Sequence, residues 1–353
     1  MDHMVETVEI AGRKIGVNRP CFIIAEVGVN HNGDLHMAVD LIDAASQVGA
    51  DAVKFQTFTV DRLVTREAPK AEYQKQTTDA AESQYEMLRR LELSPAAHRE
   101  LMDYCRGKGL LFLSTPFDEE SADLLEELGM AAYKVSSGEI TNLPLLAHVA
   151  RKHKPMIIST GMANLSEVES AVLAVQDAGN HEFVLLHCVS SYPANPADAN
   201  LRAMHTMRKA FNVPVGYSDH TSGIEVAIAA VALGACVIEK HLTLDTSLPG
   251  PDHQASLEPN EFARMVKGVR IIEVALGSGR KEPAFSEANT AAVARKSLVA
   301  AWDIAAGTEL TEEMIAIMRP GTGLPPAMRQ QLLGRIARTN IPAGTLLGLE
   351  MLT

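Results

Sequence analysis

The sequence predicts an α/β protein, a (β/α)8 barrel followed by a small C-terminal β-clip unit. Three observations carry that prediction. Eight apolar, strand-like runs are spread over about 255 residues, the size of such a barrel. Helical patterns alternate with them. After residue 277 the alternation stops, and a short unit with a faint internal repeat takes over.

The runs are CFIIAEVG (21–28), AVKFQ (52–56), LLFLSTP (110–116), AYKVSS (132–137), PMIISTG (155–161), FVLLHCVSSY (183–192), PVGYSD (214–219) and VIEKHLT (237–243). Near-continuous apolar strands suit a parallel sheet covered on both faces. Helical patterns lie at 36–48, 119–128, 165–178, 223–233 and 259–276, and Ser94-Pro95 and Asn164 to Glu167 read as helix starts. Eight such units fit a closed barrel better than an open sheet. Residues 5–20, with VEIAGRKIG, read as a hairpin able to plug the bottom of the barrel. Residues 61–93 follow the second strand and are rich in Gln, Glu and Lys. An insertion there falls on the face where barrels place their active sites, so it reads as a lid or rim.

Gly277-Ser278-Gly279 opens a polar stretch. The bounds that follow are 1–280 for the barrel with its hairpin, 281–296 for a linker and 297–353 for the clip. Within the clip, Asp303 to Thr308 (DIAAGT) resembles Asn340 to Thr345 (NIPAGT), which suggests two related hairpin elements. A unit this small has little core of its own.

Composition bounds the function. Hydrophobic residues make up 46% and charged residues 22%, enough for a large core. A net charge of −12 and only 5% aromatics argue against nucleic-acid partners and anionic membranes. Four scattered cysteines without a C-x-x-C pair read as reduced thiols. The first twenty residues show no basic region followed by an apolar run, and the longest apolar stretch, Val226 to Ile238, is broken by Gly234. A cytoplasmic protein is expected.

Polar residues inside apolar strands are costly unless used. Glu26, Lys54, Gln56, Thr115, Lys134, Ser137, Ser159, His187, Ser191, Ser218 and His241 all lie in or near the ends of the eight runs. Lys54 and Gln56 share parity and point the same way. His220 and His241 sit at the ends of the seventh and eighth strands. They suit either a site for a Mn²⁺-, Fe²⁺- or Co²⁺-like cation or a purely structural role. His31 and His36 read as loop residues. Lys54 and Lys134 leave two chemistries open, Schiff-base aldolase catalysis or the clamping of phosphate and carboxylate. Neither G-x-G-x-x-G nor G-x-x-x-x-G-K-[ST] occurs, and GSGRKE (277–282) reads as linker.

Ten ordered blocks, AEVGVNHNGD (25–34), VKFQ (53–56), STPFD (114–118), YKVSSGEITN (133–142), STGM (159–162), LLHCVSSYP (185–193), GYSDHT (216–221), EKHLTLD (239–245), PGPDHQASLEP (249–259) and RPG (319–321), resemble the sialic acid synthases over nearly the whole chain. The resemblance extends to a C-terminal domain similar to type III antifreeze protein (SAF). It implies condensation of phosphoenolpyruvate with an N-acetylated hexosamine and water, giving a nonulosonic acid and phosphate by C–O cleavage. N-acetylmannosamine is the expected acceptor, with 2,4-diacetamido-2,4,6-trideoxymannose, giving legionaminate, as the alternative. PGPDH and SSGE look less like the pseudaminate branch.

Residue by residue, the resemblance makes His220 and His241 ligands of a divalent metal, Mn²⁺ first, with Mg²⁺ or Co²⁺ as alternatives. It assigns Lys54, Thr115, Lys134, Ser137, Ser159 and Ser218 to phosphoenolpyruvate. Gln56, Phe117, Glu139, Tyr192 and Asp252 fall to the sugar, and Glu26 to proton transfer. Arg319 becomes the arginine that a swapped C-terminal domain sends into the partner's site of a homodimer. One position departs from the pattern, since Ser190 stands where some members place Asn. More distant readings are a synthase taking a phosphorylated sugar, a Schiff-base aldolase, and an ice-binding role for the C-terminal unit.

Overall fold

The computed structural model describes residues 7–79 and 81–353. The chain divides into two compact units, Met1–Gly277 and Ser278–Thr353. The first unit opens with an antiparallel hairpin, β1 (Thr7–Ile10) and β2 (Arg13–Gly16), with Val8 opposite Ile15. Ala11 and Gly12 both take positive φ at its two-residue tip, which matches the right-handed twist of the strands. Residues 5 and 6 of the expected hairpin segment lie outside the described residues.

Eight parallel strands follow: β3 (Phe22–Gly28), β4 (Ala52–Thr57), β5 (Leu111–Pro116), β6 (Tyr133–Val135), β7 (Met156–Ser159), β8 (Phe183–Cys188), β9 (Val215–Asp219) and β10 (Val237–His241). Their lateral order is β5-β4-β3-β10-β9-β8-β7-β6, and β5 and β6 adjoin at the seam. The last strand pairs with the first, Val237 opposite Phe22 through His241 opposite Glu26, so the sheet curls into a barrel.

Each strand is followed by a helix: α1 (Leu35–Gln47), α5 (Pro95–Gly107), α6 (Glu119–Glu127), α7 (Leu143–Ala150), α8 (Leu165–Asp177), α9 (Ala203–Phe211), α10 (Glu225–Ala232) and α11 (Pro259–Leu276). Ser94 caps α5 by accepting from the Ala97 amide, with Pro95 in the first turn, and Asn164 with Glu167 forms a capping box on α8. Helices α7 and α9 lack a clear sequence signal. LPLLAHVA is apolar almost throughout, so no 3.6-residue period stands out, and AMHTMRKAF buries only Met204 and Met207.

Strand alternation splits the core in two. Outward residues such as Ile23, Val53, Phe112, Tyr133, Ile158, Leu185 and Ile238 pack beneath the helices. Inward residues at the strand starts, Phe22, Ile24, Ala52, Leu113, Ala132, Ile157, Val184, Leu186 and Val237, form a separate cluster. Val8, Ile10 and Ile15 of the hairpin belong to that inner cluster, so the hairpin fills the barrel's N-terminal end. Between β4 and α5 the chain makes three short helices, α2 (Val60–Leu63), α3 (Glu72–Thr77) and α4 (Gln84–Arg89). The buried Lys70 ties this excursion together, its Nζ 2.8 Å from Thr78 Oγ1 and 3.3 Å from Glu82 Oε1.

The second unit contains α12 (Ala288–Ala294), β11 (Ser297–Ala300) paired antiparallel with β12 (Ile315–Met318), and α13 (Arg329–Leu332). Part of the expected 281–296 linker is therefore helical, as the alanine-rich ANTAAVA permits. A core of Leu298, Ile304, Leu310, Ile315, Leu332, Ile341 and Leu347 holds the unit. The repeat has a structural meaning. Ile304 and Ile341 exchange backbone hydrogen bonds, both 2.8 Å. Asp303 accepts from the Ala343 amide and Asn340 from the Ala306 amide, also both 2.8 Å. Each copy's first residue thus pins the other copy's turn.

If the hairpin is part of the barrel's cooperative core, Ile15→Ala lowers the unfolding free energy by about 2–5 kcal/mol, the usual cost of such a cavity. Urea denaturation measures it, and an unchanged midpoint would show that the hairpin packs independently.

Candidate active site

The inward parity that makes the lower core apolar makes the upper end polar. Continuing from Phe22 and Ile24 the next inward residue is Glu26; from Ala52 come Lys54 and Gln56; from Ala132, Lys134; from Ile157, Ser159. Gly216 leads to Ser218 and His220, and Val237 to Glu239 and His241. These side chains line a cavity of about 460 Å³ together with Phe117, Ser137, Ser190, Tyr192 and Asp252. The excursion contributes Ala71, Tyr73, Gln74, Gln84, Met87 and Leu88 to the same wall, as a rim would.

Not every expected residue arrives there. Thr115 is fully buried on β5, paired in register with Gln56 but outside the cavity lining, and its Oγ1 has no hydrogen-bond partner. Glu139 does not line the cavity; its carboxylate accepts from Asn142 Nδ2 at 2.7 Å. Arg319 belongs to the second unit, where its Nε donates to the Ala294 carbonyl at 3.1 Å. His187 faces outward, bonded to the Ala199 carbonyl, and Ser191 is exposed. His31 is buried rather than free in its loop, with burial lowering its pKa to about 4, and His36 lies in the first turn of α1.

Two buried lysines dominate one end. Lys54 Nζ lies 2.8 Å from Glu26 Oε2, and Gln56 Nε2 donates to Glu26 Oε1 at 3.3 Å. Lys134 Nζ donates to Ser159 Oγ at 2.7 Å and to the Val135 carbonyl at 3.1 Å, and it approaches Glu239 Oε1 at 3.4 Å. Burial lowers the Lys54 pKa to about 8, with Lys134 pushing the same way and Glu239 opposing. Burial would raise Glu239, but the ammonium groups of Lys134 and Lys54 outweigh it and hold the carboxyl below its usual range. Beside them Ser137 Oγ accepts from the Gly161 amide at 3.0 Å, and Ser190 Oγ is buried without a partner. Two cations, several hydroxyls and an unsatisfied oxygen suit a compact polyanion.

Glu239 is the site residue that sequence reasoning missed. It accepts from Ser218 Oγ at 3.0 Å and faces both lysines. The signal was present, since Glu239 stands two residues before His241 and a strand's period of two puts them on one face.

At the other end His220 and His241 lie with ring centroids 5.4 Å apart, and Tyr192 stacks 4.3 Å from His220. His220 Nδ1 donates to the Val189 carbonyl at 2.7 Å, which leaves Nε2 as the ring's acceptor, 3.5 Å from Ser218 Oγ. Burial lowers His220 to about 4 and drives His241 well below the usual histidine range. His241 Nδ1 lies 3.7 Å from Asp252, whose own pKa burial raises to about 6. Neutral imidazoles with one tautomer fixed by a carbonyl fit a divalent cation. Among the described residues no group of three or more His, Cys, Asp or Glu side chains converges to hold one. Such an ion would therefore keep open positions for water or substrate.

Gly28 shows how tightly the site is drawn. The β3–β4 register shifts between Glu26 and Gly28. A Cβ at Gly28 would lie 2.1 Å from Glu26 Oε1 and 2.8 Å from Gln56 Nε2. Gly28→Ala therefore displaces the Glu26 carboxylate. If Glu26 is a reacting group, catalytic turnover falls about a hundredfold, the usual effect of misplacing such a group by about 1 Å. The far-ultraviolet circular dichroism stays native, and full turnover would show that Glu26 needs no fixed position.

The four cysteines are buried and free, and no helix among the described residues is long and apolar enough to cross a membrane. Residues 41–281 match the NeuB family and residues 295–353 the SAF domain. The N,N'-diacetyllegionaminic acid synthase of Legionella pneumophila is 48% identical over 336 residues, covering 94% of each chain. The protein of the same name from Campylobacter jejuni is 49% identical over 320 residues, covering 90% of this chain and 96% of its own. Among solved structures, the N-acetylneuraminic acid (sialic acid) synthetase of Leptospira borgpetersenii, in complex with citrate, superposes with a TM-score of 0.72 at 38% identity, covering 82% of this chain and 96% of that one. A barrel mouth suited to a polyanion, an SAF domain and likeness along nearly the whole length agree: the chain belongs to the NeuB family of phosphoenolpyruvate-dependent condensing enzymes.

Proposed function

We propose that the enzyme condenses phosphoenolpyruvate with 2,4-diacetamido-2,4,6-trideoxymannose and water, giving N,N'-diacetyllegionaminate and phosphate. The sequence motifs pointed first to N-acetylmannosamine. The two relatives named as legionaminic acid synthases stand at 48% and 49% identity, against 38% for the sialic acid synthetase structure, and so favour the trideoxy sugar. The observation that carries this reading is the apolar wall of the mouth. Val29, Leu88 and Phe117 join one hydrophobic cluster with Phe58, Leu63 and Leu91, and Met87 lies beside them in the lining. A methyl at C6 meets such a wall without loss, whereas a hydroxymethyl would bury its hydroxyl unpaired.

In this reading Lys54 and Lys134 hold the phosphate and carboxylate, and Ser137, Ser159, Ser190 and Ser218 add directional hydrogen bonds. Gln56, Tyr192 and Asp252 orient the sugar. C3 of phosphoenolpyruvate forms a bond to the aldehyde carbon, whose oxygen takes up a proton. Water adds at C2 and loses a proton; the tetrahedral intermediate then breaks the bond from C2 to the phosphate oxygen while its C2 hydroxyl becomes the carbonyl and passes its proton to the leaving phosphate. Glu26, fixed between Lys54 and Gln56, moves one of these protons. A divalent cation held by His220 and His241, Mn²⁺ first and Mg²⁺ or Co²⁺ as alternatives, would supply Lewis-acid polarisation of the aldehyde oxygen. The proposal includes a homodimer in which residues 297–353 cover the partner's barrel mouth, with Arg319 against an acetamido group. The motif resemblance and the exposure of Arg319 support it.

Phosphate release across an acceptor panel tests the assignment. The trideoxy sugar should exceed N-acetylmannosamine in kcat/KM by about tenfold or more, the scale of one buried group. Equal or reversed preference would move the enzyme to N-acetylneuraminate synthesis.

The pH profile tests the clamp. Lys54 binds the anion only when protonated, and its pKa in the free enzyme is about 8. Hence kcat/KM for phosphoenolpyruvate declines above about pH 8, by a factor approaching ten per pH unit, because this constant reports the free enzyme. Lys54→Arg should move that decline beyond pH 10, and an unmoved decline would assign it to another group.

A further inference from the structure

Directly outside the two histidines, between the barrel wall and its helices, lies a buried ion pair that the proposed chemistry does not use. Lys240 and Asp219 are register partners on β10 and β9, and both side chains are completely buried. Their parity is opposite to that of His220 and His241, so they face away from the cavity. Lys240 Nζ lies 2.8 Å from Asp219 Oδ2 and also donates to the Thr221 carbonyl. Asp219 Oδ1 accepts from the Thr221 amide at 3.0 Å and from Thr221 Oγ1 at 2.8 Å. The network therefore encloses His220 from both chain neighbours, Asp219 and Thr221, and ties that turn to the residue immediately before His241. The His220 carbonyl is fixed as well, accepting from the Ala194 amide at 2.8 Å.

We propose that the Asp219–Lys240 pair is a positioning device that sets the separation of the two imidazoles, and with it the affinity for a divalent cation. The inference rests on the reading that His220 and His241 hold that cation. Two strands can be joined by apolar packing alone, since exchanging a buried ion pair for well-packed hydrophobic residues is often neutral or stabilising. What apolar contacts do not supply is a directional link between one strand's ammonium and the other strand's turn. Removing partners around metal-ligating histidines typically weakens metal binding about 10- to 100-fold.

The test separates stability from metal affinity on the full chain stripped of metal. Mn²⁺ alone is titrated by calorimetry or by electron paramagnetic resonance, and the melting temperature is measured in parallel. We expect wild type to bind Mn²⁺ and His220→Ala to lose it. The double variant Asp219→Leu with Lys240→Met should still fold, with a melting temperature lowered by the loss of partners for the Thr221 amide, hydroxyl and carbonyl, and bind Mn²⁺ at least tenfold more weakly. Wild-type affinity in the folded double variant overturns the positioning role while leaving the metal reading intact. Failure of wild type itself to bind Mn²⁺ overturns both. Should the double variant not fold, Thr221→Val removes one donor to Asp219 without stranding a charge. A drop of threefold or more in affinity with a native melting temperature supports the proposal, and unchanged affinity rejects it.

Discussion

Every strand of the barrel alternates its side chains, and closure forces all the inward ones into one narrow interior. That constraint governs the rest of the molecule. At the strand starts the interior is filled by Phe22, Ile24, Leu113, Ile157, Val184 and Leu186, and the hairpin supplies Val8, Ile10 and Ile15 where the strands alone leave the end open. Two or four residues further along the same strands the inward positions become Glu26, Lys54, Lys134, Ser159, Ser218, Glu239 and His241. The apolar lower layer gives the polar upper layer a dry, rigid floor, so the charged groups hold their places without bulk water.

Burying two ammonium groups in that layer costs several kcal/mol each before compensation. Glu26 at 2.8 Å from Lys54 and Glu239 at 3.4 Å from Lys134 provide the compensation without neutralising the site. The contact to Lys134 does not saturate its carboxylate, for Glu239 Oε2 lacks a hydrogen-bond partner. An arriving polyanion therefore meets cations already fixed in position, and reorganisation at the moment of reaction is small. The lowered Lys54 pKa is the residue of that compromise: the protein tolerates a lysine that is charged near neutrality and releases its proton not far above it.

Much of this was legible in the sequence because the strand period is simple. Lys54 and Gln56 announced a common face, the hairpin announced a plug, and the repeated DIAAGT and NIPAGT announced a paired element. Three things were not legible, each for a physical reason. Glu239 was masked by its neighbours, because EKH reads as a charged cluster until parity separates Glu239 and His241 inward from Lys240 outward. Glu139 was expected at the sugar, and its sequence context did not show that its carboxylate accepts from Asn142 three residues on, outside the cavity lining. Helix α7 is too apolar to show a period. The proposed acceptor, too, was not written in the motifs; it rests on whole-chain likeness together with the apolar wall of the mouth.

The cavity is assembled differently at its two ends. Its lysine-bearing end is built from strand termini, where Lys54, Lys134, Ser159 and Ser218 stand on backbone held by the barrel's ladder hydrogen bonds. Its other end is walled by the excursion between β4 and α5, three short helices tied by Lys70 to Thr78 and Glu82 and lining the barrel mouth through Tyr73, Met87 and Leu88. Substitutions in the excursion change that wall and leave the strands alone. A fold arranged this way lets the wall formed by the excursion vary while the strand termini, and the side chains they fix, stay in place.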